Sequence, residues 1–144
     1  MSQAMKYLPK ILLVDDEGDF LRVISIMLRE KGFDVYSISD YTEILTIAKT
    51  YKPDVIVLDV RPGKSDGREI DEQLKNNSDT KAIKILLHSA FTMTENDYKT
   101  CGAEGFILTP YSMPVLSAKI QGLPGTVNSE EIEPFKPVDY LFFK

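Results

Sequence analysis

Two stretches decide the fold: KILLVDDE at residues 10–17 and DVIVLDV at residues 54–60. Each is a short apolar run that stops abruptly at acid. ILLV (11–14) and VIVL (55–58) are apolar at every position, and a strand needs that only when both of its faces are covered. Three further short apolar runs complete the set, VYSI (35–38), IKILL (83–87) and FIL (106–108). Successive runs start about 20 to 28 residues apart, enough each time for a crossover helix between parallel strands.

The segments between the runs read as helices. Phe20, Val23, Ile24, Met27 and Leu28 have the i, i+3, i+4, i+7, i+8 spacing of an amphipathic helix. Lys31-Gly32 closes it, with glycine just past the end. Asp40 is an N-cap candidate for a second helix carrying Tyr41, Ile44, Leu45 and Ala48, and Pro53 marks the return to strand. A third begins after Gly67, buries Ile70 and Leu74, and ends at Asn76-Asn77. A short fourth covers roughly 94–101 with Tyr98 and Cys101 inward, and a fifth carries Val115, Leu116 and Ile120. Five strands alternating with five helices predict an α/β fold with a parallel sheet. Ser37 interrupts the second run and suits an edge strand. Residues 1–9 read as an extension, 10–121 as the domain, and 122–144 as a proline-broken tail with no output domain.

Composition narrows the function classes. The 144 residues are 43% apolar and 27% charged, an ordinary globular balance. Seventeen basic against 22 acidic side chains give a net charge of −5, which disfavours binding to nucleic acid. Cys101 is the one cysteine, so no disulfide forms within the chain, which fits the cytoplasm. No run approaches the ~20 apolar residues that span a membrane, and MSQAMKYLPK lacks a signal-peptide core.

Ligands of an open parallel sheet bind outside the carboxyl ends of its strands. There the sequence places Asp15-Asp16-Glu17, Asp59, Ser89-Ala90 and Thr109-Pro110. If strands 1 and 3 are neighbours, ~4.8 Å apart, Asp15, Asp16 and Asp59 crowd into one pocket. Clustered carboxylates repel unless a cation joins them, and a hard divalent ion such as Mg2+ is the natural partner.

These residues, with Asp66-Gly67, the HSA step at 88–90 and GAEGFILTP at 102–110, resemble the receiver domains of two-component response regulators. The resemblance covers about residues 10–121. It implies a doubly wound, five-stranded parallel sheet in order 2-1-3-4-5. It also implies that Asp59 is a phosphoacceptor served by a histidine kinase or phosphotransfer protein, the domain then signalling by binding a downstream protein. By the same resemblance Asp16, Asp59 and the backbone carbonyl of Arg61 bind Mg2+, with Asp15 acting through water. Ser89 matches the switch hydroxyl and Phe106 the switch aromatic. Thr109 stands where the family has lysine, Pro62 falls one residue early, and Phe106 lacks the hydroxyl of the commoner tyrosine. The Thr109-Pro110 bond is expected to be cis.

Each residue also has a plainer role available. Asp15-Asp16 can cap the first helix, Ser89 can cap the helix after strand 4, and Phe106 packs in the core on either reading. His88, next to Ser89, is read by alternation as a structural or partly exposed residue pointing away from the site. Cys101 reads as a small buried hydrophobe and Lys64 as solvated, with a substitute cation as its sharper reading. The alternative function is a degenerate receiver, a protein-interaction module independent of phosphate, which Thr109 favours. A phosphohydrolase with an aspartate nucleophile needs a DxD step that DDE does not provide. A flavodoxin-like cofactor site needs a phosphate loop that is missing after strand 1. Tyr140, Leu141, Phe142 and Phe143 at the end of the tail are expected to dock, on the receiver body or on a second protomer as a homodimer.

Overall fold

The computed structural model describes residues 8–60, 67–89, 102–109 and 111–123. Five strands, β1 (Lys10–Val14), β2 (Asp34–Ile38), β3 (Val55–Asp59), β4 (Lys84–Ser89) and β5 (Gly105–Leu108), pair in parallel in the order β2-β1-β3-β4-β5. The helices are α1 (Gly18–Glu30), α2 (Ile44–Tyr51) after a 3-10 turn at Tyr41–Glu43, α3 (Gly67–Lys75) and α4 (Met113–Gln121). Order, direction and the edge position of β2 agree with the sequence reading. The helix expected over 94–101, with Tyr98 and Cys101, and the tail from residue 124 on lie outside the described residues.

Alternation along the central strands divides the apolar residues into two cores. Ile11, Leu13, Val55, Val57, Leu86 and Ile107 pack under α1 and α4 with Leu28, Leu116 and Ile120. Leu12, Val14, Ile56, Leu58, Ile85 and Leu87 pack on the other face with Ile44, Ala48 and Leu74. Each large side chain fully buried in this way contributes roughly 1.5–3 kcal/mol. This two-sided burial is why the ILLV, VIVL and ILL runs of β1, β3 and β4 are apolar at every position.

The inward stripe of α1 differs from the expected one. Its buried residues are Leu21, Ile24, Ser25 and Leu28, while Val23 is 53% exposed. At 100° per residue, a stripe centred on Leu21 and Leu28 leaves Val23 on the far side. Phe20 and Met27 flank the stripe. The end of α1 does match. Gly32 adopts φ +98, Phe33 N–H donates to Leu28 O at 3.1 Å and Gly32 N–H to Arg29 O at 3.1 Å, a left-handed cap that favours glycine. Asp40 caps the 3-10 turn, accepting from the Thr42 amide at 2.9 Å and hydroxyl at 2.7 Å. Those two bonds hold its carboxyl below the usual range.

The amino-terminal edge of the sheet is tied by side chains. Lys75 Nζ donates to Glu104 Oε2 at 2.7 Å and to Ile83 O at 2.8 Å. The other Glu104 oxygen accepts from the Ile85 amide at 2.7 Å. Gly102, at φ +98, lies so close that a Cβ there would stand 2.9 Å from Lys75 Cγ.

Candidate functional site

The strand ends converge as the register requires. Val14 pairs with Leu58 across β1 and β3, so the next residues, Asp15 and Asp59, stand side by side at the carboxyl edge. Asp59 pairs in turn with His88 on β4, and His88 with Ile107 on β5. Parity settles the direction. Ile11 and Leu13 precede Asp15, Val55 and Val57 precede Asp59, and Leu86 precedes His88, all on the α1/α4 face. All three polar residues are buried: Asp15 is 5%, Asp59 8% and His88 1% exposed. Each offers one ligand atom such that the three atoms lie within 4.8 Å of one another. The set contains two adjacent carboxylates and an imidazole, the chemistry of a cation site.

His88 is therefore a correction. Its side chain lies on the same side of the sheet as those of Asp15 and Asp59. Its Nε2 lies 3.5 Å from Asp15 Oδ2. Phe20 of α1 stacks on the imidazole at 5.6 Å between centroids and 16° between planes, and Tyr111 meets it edge-on at 6.1 Å. The signal is present in the sequence as the count of residues from each strand's apolar run to its polar end. Reading β4 against Ser89 alone hides it.

The other expected residues take separate places. Asp16 is exposed at the rim, outside the trio of converging atoms. Asp15 Oδ1 accepts from the Glu17 amide at 2.9 Å, so this carboxylate also fixes the turn into α1, part of the plainer role considered for it. Ser89 is buried at the end of β4, and its carbonyl accepts from the Thr109 amide at 2.8 Å. Thr109 and Phe106 are half-buried, and Phe106 packs against the α2/α3 core. Arg61, Pro62, Lys64, Asp66, Ala90 and Pro110 lie outside the described residues, as does the expected cis bond.

Two tyrosines that sequence reasoning does not find belong to the site. The Tyr41 hydroxyl donates to the Asp59 carbonyl at 3.1 Å and fixes the end of β3. The Tyr111 hydroxyl is buried, with no hydrogen-bond partner among the described residues. Burial first, then the charges of Asp15 and Asp59, raises its pKa well above the ordinary value. Among the described residues no helix is long and apolar enough to cross a membrane.

A family model described as the response regulator receiver domain matches residues 11–121. The alkaline phosphatase synthesis transcriptional regulatory protein PhoP of Bacillus subtilis is 32% identical over 121 residues, covering 79% of this chain and 48% of PhoP. A probable transcriptional regulator ycf27 of Porphyridium aerugineum is 32% identical over 114 residues, covering 79% of this chain and 47% of its own. The chain thus spans about half the length of the curated relatives it matches. Among solved structures, the chemotaxis response regulator CheY4 of Vibrio cholerae superposes with a TM-score of 0.73 at 27% identity, covering 80% of this chain and 98% of that one. The sheet order, the acidic strand ends and a match running from the first strand through the last described helix lead to one conclusion: the chain belongs to the response regulator receiver domain family of two-component systems.

Proposed function

We propose that this receiver accepts a phosphoryl group on Asp59 from the phosphohistidine of a histidine kinase or phosphotransfer protein and signals through a protein partner. The observation that carries this reading is the buried placement of Asp59 beside Asp15 at the carboxyl edge. A carboxylate oxygen of Asp59 attacks phosphorus, the P–N bond of the donor breaks, and its electron pair returns to the donor imidazole. The oxygen-donor set of Asp15, Asp16 and Asp59 fits Mg2+, with the Arg61 carbonyl as a further ligand. When bound, the ion offsets charge on the transferring oxygens. Asp59 is held for attack by its place in β3 and by the Tyr41 bond to its carbonyl. Ser89 supplies a hydroxyl for a phosphoryl oxygen, and Phe106, packed on the α2/α3 side, is the aromatic that responds.

The test is incubation with Mg2+ and acetyl phosphate followed by intact mass. Wild type gains one hydroxylamine-labile phosphoryl group and Asp59→Asn gains none. Equal gain by both proteins would remove Asp59 as acceptor. Thr109 favours a second reading, an interaction module indifferent to phosphate, because a threonine hydroxyl supplies at most one neutral bond where lysine supplies a charged one. Amide NMR shifts unchanged by Mg2+ and beryllofluoride would select it.

A further inference from the structure

We propose that Asp15, Asp59 and His88 form a mixed nitrogen–oxygen metal site that prefers a borderline transition ion, of the Co2+ or Zn2+ class, to Mg2+. The inference builds on the proposed receiver pocket only in taking Asp15 and Asp59 as ligands.

Three observations support it. The geometry comes first: two ligands at ~2.1 Å from one ion lie roughly 3.0–3.4 Å apart in octahedral or tetrahedral arrangements. His88 Nε2 and Asp15 Oδ2 are 3.5 Å apart, and all three ligand atoms fall within 4.8 Å. A small closure around an ion would complete the set. Second, the imidazole is held in place. It is 1% exposed, stacked on Phe20 and met edge-on by Tyr111, so its ring has little freedom to turn from Asp15. Held ligands lose little entropy on binding. Third, the chemistry of the set is mixed. Mg2+ takes oxygen ligands and dehydrates reluctantly, whereas imidazole suits the later first-row ions. A nitrogen at the third position adds affinity for those ions and nothing comparable for Mg2+.

His88 is the chain's single histidine, so imidazole coordination in tag-free protein has one source. The experiment has two readouts on the full chain. Pulsed EPR of bound Mn2+ detects an imidazole 14N coupling directly in wild type. Calorimetric titration with Co2+ and with Mg2+ then compares wild type with His88→Leu. The expected result is a 14N coupling, Co2+ binding at least tenfold tighter than Mg2+, and loss of that preference in His88→Leu with Mg2+ affinity within about threefold. Absence of the 14N coupling overturns the proposal without use of the variant, so a His88→Leu protein that fails to fold does not shield it. A wild type that binds both ions equally, or a variant that keeps the preference, also overturns it. Acyl phosphate formation in Mg2+ is scored separately. Phosphorylated Asp59 without nitrogen coupling sinks the metal site alone. Nitrogen coupling without phosphorylation sinks the phosphoacceptor reading alone.

Discussion

At the amino-terminal edge of the sheet Glu104 engages both oxygens, one with the Lys75 ammonium and one with the Ile85 amide. At the carboxyl edge Asp15 and Asp59 instead stand beside each other, with an imidazole as the third polar group. The first arrangement is closed: its charges and hydrogen bonds are matched by the chain itself, and it joins α3 to the starts of β4 and β5. The second places like charges together under low solvent exposure, which weakens the fold unless a cation joins them. One end of the sheet is thus tied by a matched ion pair, and the other sets two buried carboxylates side by side.

The largest effect is expected from opening the closed end. Glu104→Ala strands the Lys75 ammonium and removes the acceptor of the Ile85 amide, and should lower unfolding free energy by about 2–3 kcal/mol. Urea unfolding measures it, and a loss below ~0.5 kcal/mol would mean that water replaces the pair without cost. At the carboxyl edge the sign should reverse. Asp59→Asn removes one of two adjacent charges and is expected to stabilise the metal-free chain by about 1 kcal/mol. Saturating divalent ion should abolish that advantage, since wild type gains more from the ion. Destabilisation by Asp59→Asn in the presence of EDTA would break the comparison outright.

The smallest effect concerns Tyr111. Its pKa is raised from the ordinary 10.0, first by burial and then by Asp15 and Asp59. Below pH 10 both folded and unfolded states hold the proton. Above it the unfolded chain releases the proton while the folded one retains it, so stability falls as pH rises. In metal-free buffer Tyr111→Phe should flatten that fall by less than ~1 kcal/mol between about pH 10 and 11. An unchanged slope in the urea midpoint would show that the hydroxyl is solvated in the folded state.

Much of this is legible in the chain. β1 and β3 announce themselves because ILLV and VIVL are covered on both faces, and their acidic ends follow directly. Gly32 and Asp40 are readable because each satisfies local backbone groups. The α1 stripe reads one position off because Phe20 and Val23 are apolar whether or not they face the core. His88 misleads for a different reason. Its side follows from its being the first polar residue after its apolar run, as Asp15 and Asp59 are after theirs, and a reading taken from Ser89 alone passes over that. The Lys75–Glu104 pair and the Tyr41 bond to Asp59 join residues from separate elements, and no spacing rule reaches them.

Adjacent positions on β4 serve opposite sides of the sheet: Leu86 and His88 belong with α1 and α4, while Ile85 and Leu87 belong with α2 and α3. The sheet is therefore a partition whose two sides can be rewritten separately. Between residues 85 and 88, substitutions at even positions alter the α1/α4 core and the His88 cluster, and those at odd positions alter the opposite core. For an engineer, the His88 cluster and the Phe106-bearing core become two dials on one strand, set over residues 85–88 by whether a residue number is even or odd.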